Sequence, residues 1–449
     1  MMQDRNSAFP AVDVRQRQRR QWIVIAVFAL LAAGLPLLEL VEHSGQNAIF
    51  SRDGLRDLGA ACGMAAAILV SFQFIIGARL RLLDRIFPLN RQFVFHRFFG
   101  GTAALCALMH PLVMFGPDLI EGNFNDLLCW PVFVGAAALA GLWGAGLAAL
   151  FRQRLKIPFH RWLVMHRLGT LGLALFILVH FSFAEGHFEV GMVHAVLIAA
   201  LSIYGLSFLL NRGVLYRVTA KQAVGRDTLA FDLAPFTGAG LSHVPGQFVL
   251  AAFQAKGLPR EEHPWTVSSP PFPDRKLQLT LKKSGDFTAR LDVVEVGDRV
   301  RIRGPYGAFG PCFQETDAAT TNLIMIAGGV GITPFLSLLR CFAQNSDSRK
   351  LVLIWSNKTE ADILWKDEFE RLQKTLPGFT VHHVLTREPS RTGVSGHISA
   401  DRLKTFLPDA GSPYQVFICG PGQMMTDIQA QLAELGIDAS RIFCERFQI

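Results

Sequence analysis

The chain has 449 residues, of which 50% are hydrophobic, and a formal net charge of +8 at pH 7. This length is sufficient for two or three domains, and nearly all the long apolar runs lie in the first 210 residues. The seven cysteines form no CxxC pair and no ligand cluster, which argues against a zinc site, an iron–sulfur cluster and a disulfide framework.

A basic, polar N-terminus occupies residues 1–21. Its charged region precedes the first apolar run, but no small-residue cleavage site follows, so we expect an anchor helix and not a removable signal peptide. Six apolar segments come next, each close to the ~20 residues that cross a bilayer core. They are residues 22–41, 57–77, 93–115, 128–151, 162–183 and 190–210. Residues 22–211 are therefore expected to form an all-α six-helix membrane bundle.

The loops between these segments alternate in charge. Residues 78–91 and 152–161 are rich in arginine and lysine, whereas residues 116–127 and 184–189 contain acidic residues and no lysine or arginine. The positive-inside rule then places both termini in the cytoplasm, as in a protein of a bacterial-type inner (plasma) membrane. The positive charge is thus explained by membrane topology, and we expect the lipid bilayer and no nucleic acid as a partner.

Two of the apolar segments carry histidines at one repeated spacing. His96 and His110 are fourteen residues apart, and His166 and His180 repeat that separation. On an α-helix this is about four turns, so both rings of a pair leave the same face. Two such helices can hold two flat metal macrocycles between them, and neutral imidazole is a standard axial ligand of haem iron. The pattern predicts two b-type haems.

The alternative is that these are satisfied histidines of a helical core, although ionisable groups inside a bilayer are expensive and usually functional. Because the third and fifth segments should run in the same direction, we expect His96 to face His166 near the cytoplasm (the inner pair). His110 should face His180 near the outside (the outer pair). Arg97 and Arg167 follow the inner histidines, where they suit haem propionates or simple positive-inside flanking equally well.

After Asn211 the pattern changes to that of a soluble protein. Residues 212–315 alternate short β-branched or aromatic runs with glycine and proline turns, which predicts an antiparallel β-barrel. Residues 316–449 begin with a buried strand, a glycine-rich turn and a helix start, NLIMIAGGVGITPFLSLL. Such glycines let the backbone approach a pyrophosphate at a helix N-terminus. LVLIWSNK and YQVFICGPGQMM indicate further parallel strands of an α/β Rossmann-like domain.

Together these residues resemble the ferric reductase and NADPH oxidase superfamily, and the resemblance covers nearly the whole chain beyond about residue 55. It implies a transmembrane flavocytochrome b with a ferredoxin-NADP reductase-like C-terminal half that binds FAD and NADPH. Thr266, Cys419, Glu445 and Phe447 match the residues expected near hydride transfer, with Gln448 and Ile449 following that phenylalanine. The expected cofactor-binding residues are His263, Pro264, Trp265, Thr266, Ser268, Lys282, Gly285, Thr288, Gly328, Gly329, Gly331, Thr333, Pro334, Ser356, Lys358, Gly420 and Pro421; the expected metal ligands are His96, His110, His166 and His180.

The nucleotide preference is predicted from the end of the LVLIWSNK strand. A carboxylate there favours NADH by binding the ribose 2′-OH, and a cation favours the 2′-phosphate of NADPH. The strand ends at Ser356-Asn-Lys358, Arg387 lies in a later loop, and the first acidic residue is Glu360. This arrangement predicts NADPH.

The expected function is electron transfer from cytosolic NADPH through FAD and two haems to an outer acceptor, either dioxygen or ferric iron. Outer residues Glu185, His187 and His194 could shape the acceptor site or could belong to a solvated loop. Two alternatives stay open at this point. The chain could be a haem-containing electron donor or regulatory partner of another protein, or a reductase on an inert membrane anchor.

Overall fold

The computed structural model describes residues 14–44, 51–87, 89–122, 128–183, 190–307, 309–310, 321–345, 349–389, 394–407 and 414–445. The chain divides into two compact units. A helical unit comprises Gln18–Phe87 and Arg91–Asn211, and the second unit is built chiefly from Arg212–Ile449. We refer to the second as the flavoprotein unit.

Eight helices of the described chain precede the first strand. They are α1 (Val14–Ala29), α2 (Leu35–Ser44), α3 (Arg52–Gly77), α4 (Arg81–Ile86), α5 (Leu89–Ile120), α6 (Trp130–Phe151), α7 (Phe159–Phe183) and α8 (Val190–Leu210). A π-helical turn, Leu30–Gly34, joins α1 to α2, so the two cross as one span. Six helical spans are long and apolar enough to cross a membrane, which confirms the expected six-helix bundle.

The helical unit turns most of its apolar surface outward. Among the described residues, every exposed large hydrophobic side chain lies in this unit except Val293 and Val296. Helix α3 is the exception, because its apolar face is largely buried: Met64, Ile68 and Phe72 are each 1% exposed. They pack with Leu173 of α7 and other side chains of α7 and α8. Contiguous exposed apolar surface on this scale requires lipid as its solvent.

Helix α3 begins at Arg52, five residues before the apolar segment that predicted it. Ser51 caps it by accepting a hydrogen bond from the Gly54 N–H at 3.1 Å. Arg52 and Arg56 both pair with Asp118, which is fully buried near the C-terminal end of α5. These ion pairs explain why the helix continues beyond the apolar run, since the two arginines gain a partner on the neighbouring helix.

The flavoprotein unit begins with a six-stranded antiparallel sheet. Its strands are β1 (Val214–Gly225), β2 (Thr228–Pro235), β3 (Phe248–Gln254), β4 (His263–Thr266), β5 (Leu277–Lys282) and β6 (Arg299–Tyr306). The order across the sheet is β4-β3-β6-β1-β2-β5. Alternating inward residues such as Phe231, Phe253 and Leu279 are fully buried and form its core. The antiparallel sheet predicted for the FAD-binding segment is confirmed.

A six-stranded parallel sheet follows, with helices on it. Its strands are β7 (Asn322–Gly328), β8 (Leu351–Asn357), β9 (Phe379–Leu385), β10 (Val394–Ser395), β11 (Tyr414–Cys419) and β12 (Ile442–Glu445). The helices are α9 (Thr333–Gln344), α10 (Lys366–Thr375), α11 (Ala400–Phe406) and α12 (Gly422–Glu434). The order is β10-β9-β8-β7-β11-β12, so both strands that were predicted to be parallel flank β7.

Arg340 of α9 joins the two sheets of the flavoprotein unit. Its guanidinium donates to the Ser268 carbonyl at 2.9 Å and to the Gln278 side chain at 2.7 Å. It also makes a bidentate pair with Glu368 of α10, with both distances 2.6 Å. One turn earlier, the Ser337 hydroxyl donates to the Ser269 carbonyl at 2.6 Å. These bonds fix the parallel sheet against the segment that follows β4.

Candidate functional site

The four predicted ligand histidines lie as two facing pairs between α5 and α7. The ring centres of the inner pair, His96 and His166, are 6.1 Å apart, with the ring planes at 71°. Those of the outer pair, His110 and His180, are 6.0 Å apart, with the planes at 78°. The fourteen-residue repeat on both helices therefore produces two nearly identical pairs, one above the other.

This separation fits one iron between each pair of rings. An imidazole nitrogen lies about 2.0 Å from a bound metal and about 1.1 Å from its own ring centre, so two axial rings have centres about 6.2 Å apart. Over the described part of the chain, no group of three or more His, Cys, Asp or Glu side chains could hold a metal ion. A pair of histidines suits a macrocycle that brings four nitrogens of its own.

Both rings of the outer pair are oriented by backbone carbonyls of neighbouring helices. The Nδ1–H of His110 donates to the Gly59 carbonyl on α3 at 2.8 Å, and that of His180 donates to the Pro131 carbonyl on α6 at 2.9 Å. A carbonyl oxygen only accepts, so Nδ1 carries the proton. Nε2 is then left with the lone pair that binds a metal.

Glycines make this approach possible, and the sequence reasoning missed them. A Cβ on Gly63 would lie 2.9 Å from the His110 Nδ1, and one on Gly135 would lie 2.9 Å from the His180 Nδ1. The small-xxx-small spacing of Gly59 and Gly63 on α3 is a sequence signal for close helix packing. Nothing in the sequence indicates that the Pro131 carbonyl reaches a histidine.

The inner pair has a different environment. Trp162 stacks on His166, with ring centres 5.1 Å apart and planes at 21°. Within the described residues the Nδ1 of His166 is buried without a hydrogen-bond partner. Arg167, one of the two expected propionate partners, lies over the Phe208 ring, and Arg97 is exposed.

The candidate residues for the acceptor site can be compared with the outer pair only in part. His194 of α8 lies 2.9 Å from the hydroxyl of Ser182, which follows His180 by two residues on α7. The other two candidates for the acceptor site, Glu185 and His187, lie outside the described residues.

The expected flavin motif forms strand β4. His263 is half-buried, contacts the Glu261 carboxylate at 3.1 Å and stacks on Phe287 with ring centres 4.2 Å apart. Burial lowers the pKa of His263, while Glu261 acts in the opposite direction. Pro264 and Trp265 follow on the same strand, which pairs with β3. The Trp265 Nε1 is buried without a partner among the described residues, as is the Nε of Arg303 on β6. Both suit a ligand that carries acceptor oxygens.

The remaining residues of the flavin prediction make different kinds of contact within the protein. The Thr288 hydroxyl accepts hydrogen bonds from the Ser284 and Gly285 N–H groups at 2.8 and 2.9 Å, which closes a tight loop after β5. Lys282 lies 3.9 Å from Asp362. Ser268 is fully buried, and its hydroxyl contacts that of Thr280 at 2.9 Å, so it serves the barrel interior.

The glycine loop after β7 is packed tightly on one side and open on the other. A Cβ on Gly331 would lie 2.7 Å from the Cys419 carbonyl carbon, and one on Gly420 would lie 2.6 Å from Met424. A Cβ on Gly328 would meet Met424 and Pro421, both at 2.7 Å. In contrast, Gly329 has a φ of +52° and nothing within 4 Å of a built Cβ. The backbone at Gly329 is therefore uncovered, and α9 begins shortly after it at Thr333 and Pro334. A phosphate site at a helix N-terminus requires such an accessible backbone.

A chain of contacts connects the flavin motif to this glycine loop. Thr266 is opposite Phe248 in the sheet, and a Cβ on Gly307 would lie 3.0 Å from the Phe248 ring and 2.7 Å from the Glu445 carboxylate. Glu445 is opposite Cys419 in the parallel sheet. Thr266, Glu445 and Cys419, three of the four residues predicted near hydride transfer, are thus connected by this series of contacts. The fourth, Phe447, is outside the described residues.

Cys419, the last residue of this series of contacts, is fully buried. Burial raises the pKa of its thiol well above the ordinary value, and Glu445 and Cys444 act in the same direction. The thiol therefore stays protonated at neutral pH. It can pack or donate a weak hydrogen bond but does not act as a thiolate nucleophile.

The residues expected to distinguish NADPH from NADH lie at the end of β8 or close to it. Ser356 is opposite Gly328 in the sheet. The backbone N–H of Arg387 donates to the Lys358 carbonyl at 2.9 Å, so these two exposed residues are neighbours. Glu360 is engaged elsewhere, since its carboxylate pairs with Lys366 at 2.8 Å.

Three segments of the chain match known families. Residues 62–179 match the ferric reductase like transmembrane component, residues 215–310 the oxidoreductase FAD-binding domain, and residues 325–430 the oxidoreductase NAD-binding domain. The chain belongs to the ferric reductase and NADPH oxidase superfamily. This superfamily member is an integral membrane protein and an NAD(P)H-dependent flavin oxidoreductase of the electron-transfer type.

Similar proteins extend the comparison for the flavoprotein unit. NADH-cytochrome b5 reductase 1 of Aspergillus terreus is 31% identical over 206 residues, which are 44% of this chain and 68% of that protein. The Kluyveromyces lactis protein of the same name is 30% identical over 198 residues, 43% of this chain and 68% of its own. In this part the superfamily member therefore belongs with these reductases.

A flavohemoglobin from Malassezia yamatoensis, whose crystal structure contains FAD and heme, aligns with a TM-score of 0.51. It is 20% identical and covers 95% of this chain and 98% of that chain. At this identity the likeness concerns the fold alone.

Proposed function

We propose that this superfamily member transfers electrons from cytosolic NADPH, through FAD and two b-type haems, to an acceptor on the outer side of a bacterial-type inner membrane. Both termini lie in the cytoplasm in this proposal, in agreement with the charge of the loops. The acceptor is dioxygen, which would give superoxide, or ferric iron, which would give ferrous iron.

One observation carries the proposal: two histidine pairs with the ring separation of a bis-histidine iron site occur in one helical unit. Two facing histidines could be a packing accident once. Two pairs at 6.1 and 6.0 Å, on a chain with FAD- and NAD-binding domains, are explained together by an electron path. His96, His166, His110 and His180 would be the four axial ligands.

The residues of the flavoprotein unit have separate tasks in this function. Bound FAD accepts a hydride and releases single electrons, which connects a two-electron donor to one-electron haems. Thr266 and Trp265 would border the flavin, and the glycine loop with the start of α9 would bind the nucleotide phosphates. The buried, protonated Cys419 and the neighbouring Glu445 would line the position where the nicotinamide meets the flavin.

The proposed preference for NADPH rests on Lys358 and Arg387, which lie side by side at the end of β8. The two reductases named above are NADH-cytochrome b5 reductases by name. The purified protein should therefore be assayed with both nucleotides at one low concentration. Faster turnover with NADPH is expected, and faster turnover with NADH would contradict the preference.

The decisive experiment is an absorption spectrum of the detergent-purified protein before and after the addition of NADPH. We expect a flavin signal and reducible low-spin b-type bands, with about two haems per FAD. Flavin without haem would reduce the function to that of a reductase on a membrane anchor. Haem without NADPH-reducible flavin would indicate a passive electron carrier.

Replacement of the inner pair tests the path itself. In His96→Leu/His166→Leu, flavin reduction by NADPH should persist while electron delivery to ferricyanide outside sealed vesicles is lost. Unchanged haem content and unchanged external delivery would support the inert anchor. Parallel assays for superoxide and for ferrous chelate would then identify the acceptor.

A further inference from the structure

One buried side chain outside the predicted site is bonded to the glycine loop. Trp355 of β8 is fully buried, and its indole Nε1–H donates a hydrogen bond to the carbonyl of Gly329 at 3.0 Å. The sequence pattern indicated this tryptophan only as part of a strand. The bond connects the core of the parallel sheet to the backbone of the loop that is expected to meet the nucleotide.

The indole ring of Trp355 has little freedom to move. Its centre lies 5.0 Å from that of the Phe369 ring on α10, and 5.7 Å from that of the His383 ring, which is directly opposite it on β9. Side chains in a close-packed interior occupy fixed rotamers, so the Nε1–H has one fixed direction. A buried indole N–H normally has an acceptor, and here the acceptor is the Gly329 carbonyl.

The backbone at Gly329 could adopt more than one conformation. Its φ of +52° is a left-handed value that glycine adopts without strain, and nothing lies within 4 Å of a built Cβ. The residue begins a short 3₁₀ turn, Gly329–Ile332, that leads into α9. Since a glycine and open space offer little resistance, the peptide group between Gly329 and Val330 needs a contact that fixes its orientation.

The bond from Trp355 provides that contact. In a planar trans peptide the carbonyl and the following N–H point in opposite directions. Because the Gly329 carbonyl is drawn toward the buried indole, the Val330 N–H points away from it. The first N–H groups of a helical turn have no acceptor within the turn and attract anions. If the peptide group rotated, the partly negative carbonyl oxygen would face a bound phosphate and repel it.

We propose that Trp355 is a positioning residue for the nucleotide pyrophosphate. Its indole N–H holds the Gly329 carbonyl inward and so presents the Val330 N–H to the phosphates before the nucleotide binds. The apparent dissociation constant rises when the fraction of binding-competent molecules falls. Because NADPH and NADH share the pyrophosphate, Trp355 acts equally on both, unlike Lys358. This inference rests on the proposed function, in which the glycine loop binds the nucleotide phosphates.

The test is the rate of flavin reduction in the full-length, detergent-purified holoprotein, measured by stopped flow at increasing concentrations of each nucleotide. In Trp355→Phe an aromatic ring remains but the N–H is lost, so the apparent Kd should rise about fivefold for NADPH and for NADH alike. The limiting rate at saturation should not change, because other residues position the nicotinamide. The hydride donor 1-benzyl-1,4-dihydronicotinamide, which carries no phosphate, should reduce variant and wild type equally fast.

Trp365→Phe is the matched control. Its ring also packs against the core of the parallel sheet, but in the described chain its Nε1 is buried without a partner, so the same substitution breaks no hydrogen bond. Nucleotide affinity should be unchanged. A second variant carries 3-benzothienylalanine at position 355, where sulfur replaces the indole N–H and the shape of the ring is kept. It should reproduce the loss of affinity even if Trp355→Phe folds poorly.

Unchanged affinity in the variants at position 355 would overturn the proposal. So would a change for one nucleotide only, an equal change in Trp365→Phe, or a slower reaction with the phosphate-free donor, since each would indicate an effect other than on the pyrophosphate. A wild-type flavin that the phosphate-free donor reduces but neither nucleotide reduces would overturn the proposed function, and Trp355 would then have no nucleotide to position.

Discussion

The two units place the same residue types in opposite positions. In α7, Leu168 and Leu175 are 66% and 63% exposed, whereas in α9 Leu336 and Leu339 are fully buried. Leucine gains free energy by leaving water in both cases. In the helical unit it leaves water for lipid, so the outer face can be apolar and interior positions become available for histidine and glycine. In the flavoprotein unit only the interior is dry, so leucine occupies the core.

The largest expected effect tests this contrast directly with one residue type. Leu336→Ala should destabilise the flavoprotein unit by about 2–5 kcal/mol, because it removes buried apolar atoms and leaves a cavity. Leu168→Ala, at a surface that we assign to lipid, should change stability by less than about 0.5 kcal/mol. Denaturation of both variants in detergent, followed by flavin fluorescence and by helical circular dichroism, measures the two effects. Similar losses would mean that Leu168 packs against protein and not lipid.

The next prediction concerns the charges that the flavoprotein unit keeps inside. Arg340→Met should cost about 2–4 kcal/mol, because the half-buried Glu368 and two acceptors of the antiparallel sheet lose their partner. Glu368→Leu added to Arg340→Met should recover part of the loss, since the unpaired charge is then removed. The free energy of unfolding and the KM for NADPH are to be measured for both variants. A double variant as unstable as the single one would show that the sheet contacts alone matter.

The third prediction concerns the protonation of a buried histidine, His243, in the flavoprotein unit. Burial, together with the charge of Arg275, lowers the pKa of His243 to about 4. The hydrogen bond to the Ser269 carbonyl acts in the opposite direction and raises it. The unfolded state, with a pKa near 6.5, then binds more protons than the folded state between these values, so stability falls as the pH drops from 6.5 to 4. The loss should reach at most about 3 kcal/mol. His243→Gln should flatten the pH dependence of unfolding over this interval, and an unchanged slope would assign it to other groups.

The smallest effect concerns the surface at the end of β8. Lys358→Ala should raise the KM for NADPH about tenfold and leave the KM for NADH unchanged, because only NADPH carries the 2′-phosphate. Lys350→Ala is the matched control, an exposed lysine before the opposite end of the same strand. Equal changes for both nucleotides would place Lys358 at a shared phosphate.

Much of the architecture could be predicted because its signals are local in the sequence. Six apolar runs of bilayer length, the fourteen-residue repeat of His96/His110 and His166/His180, and the order of the glycine motifs are all properties of short segments. The fold class and the integral membrane character followed from these segments, and both are confirmed. The pattern also indicated that β8 and β11 are parallel strands, and in the structure both pair with β7 in parallel.

What the sequence could not determine are contacts between residues far apart in the chain. The partner of the His110 Nδ1 is fifty-one residues away, that of His180 is forty-nine, and Arg340 meets Ser268 across seventy-two. Each of these depends on which carbonyl or turn a neighbouring element presents, and a backbone carbonyl has no side-chain identity to read. The sequence by itself determined which helices carry the repeated histidines and which loops carry glycines. Only the packing of α3 and α6 against α5 and α7 decided that, among the described residues, both outer rings donate to a backbone carbonyl while the Nδ1 of His166 has no partner.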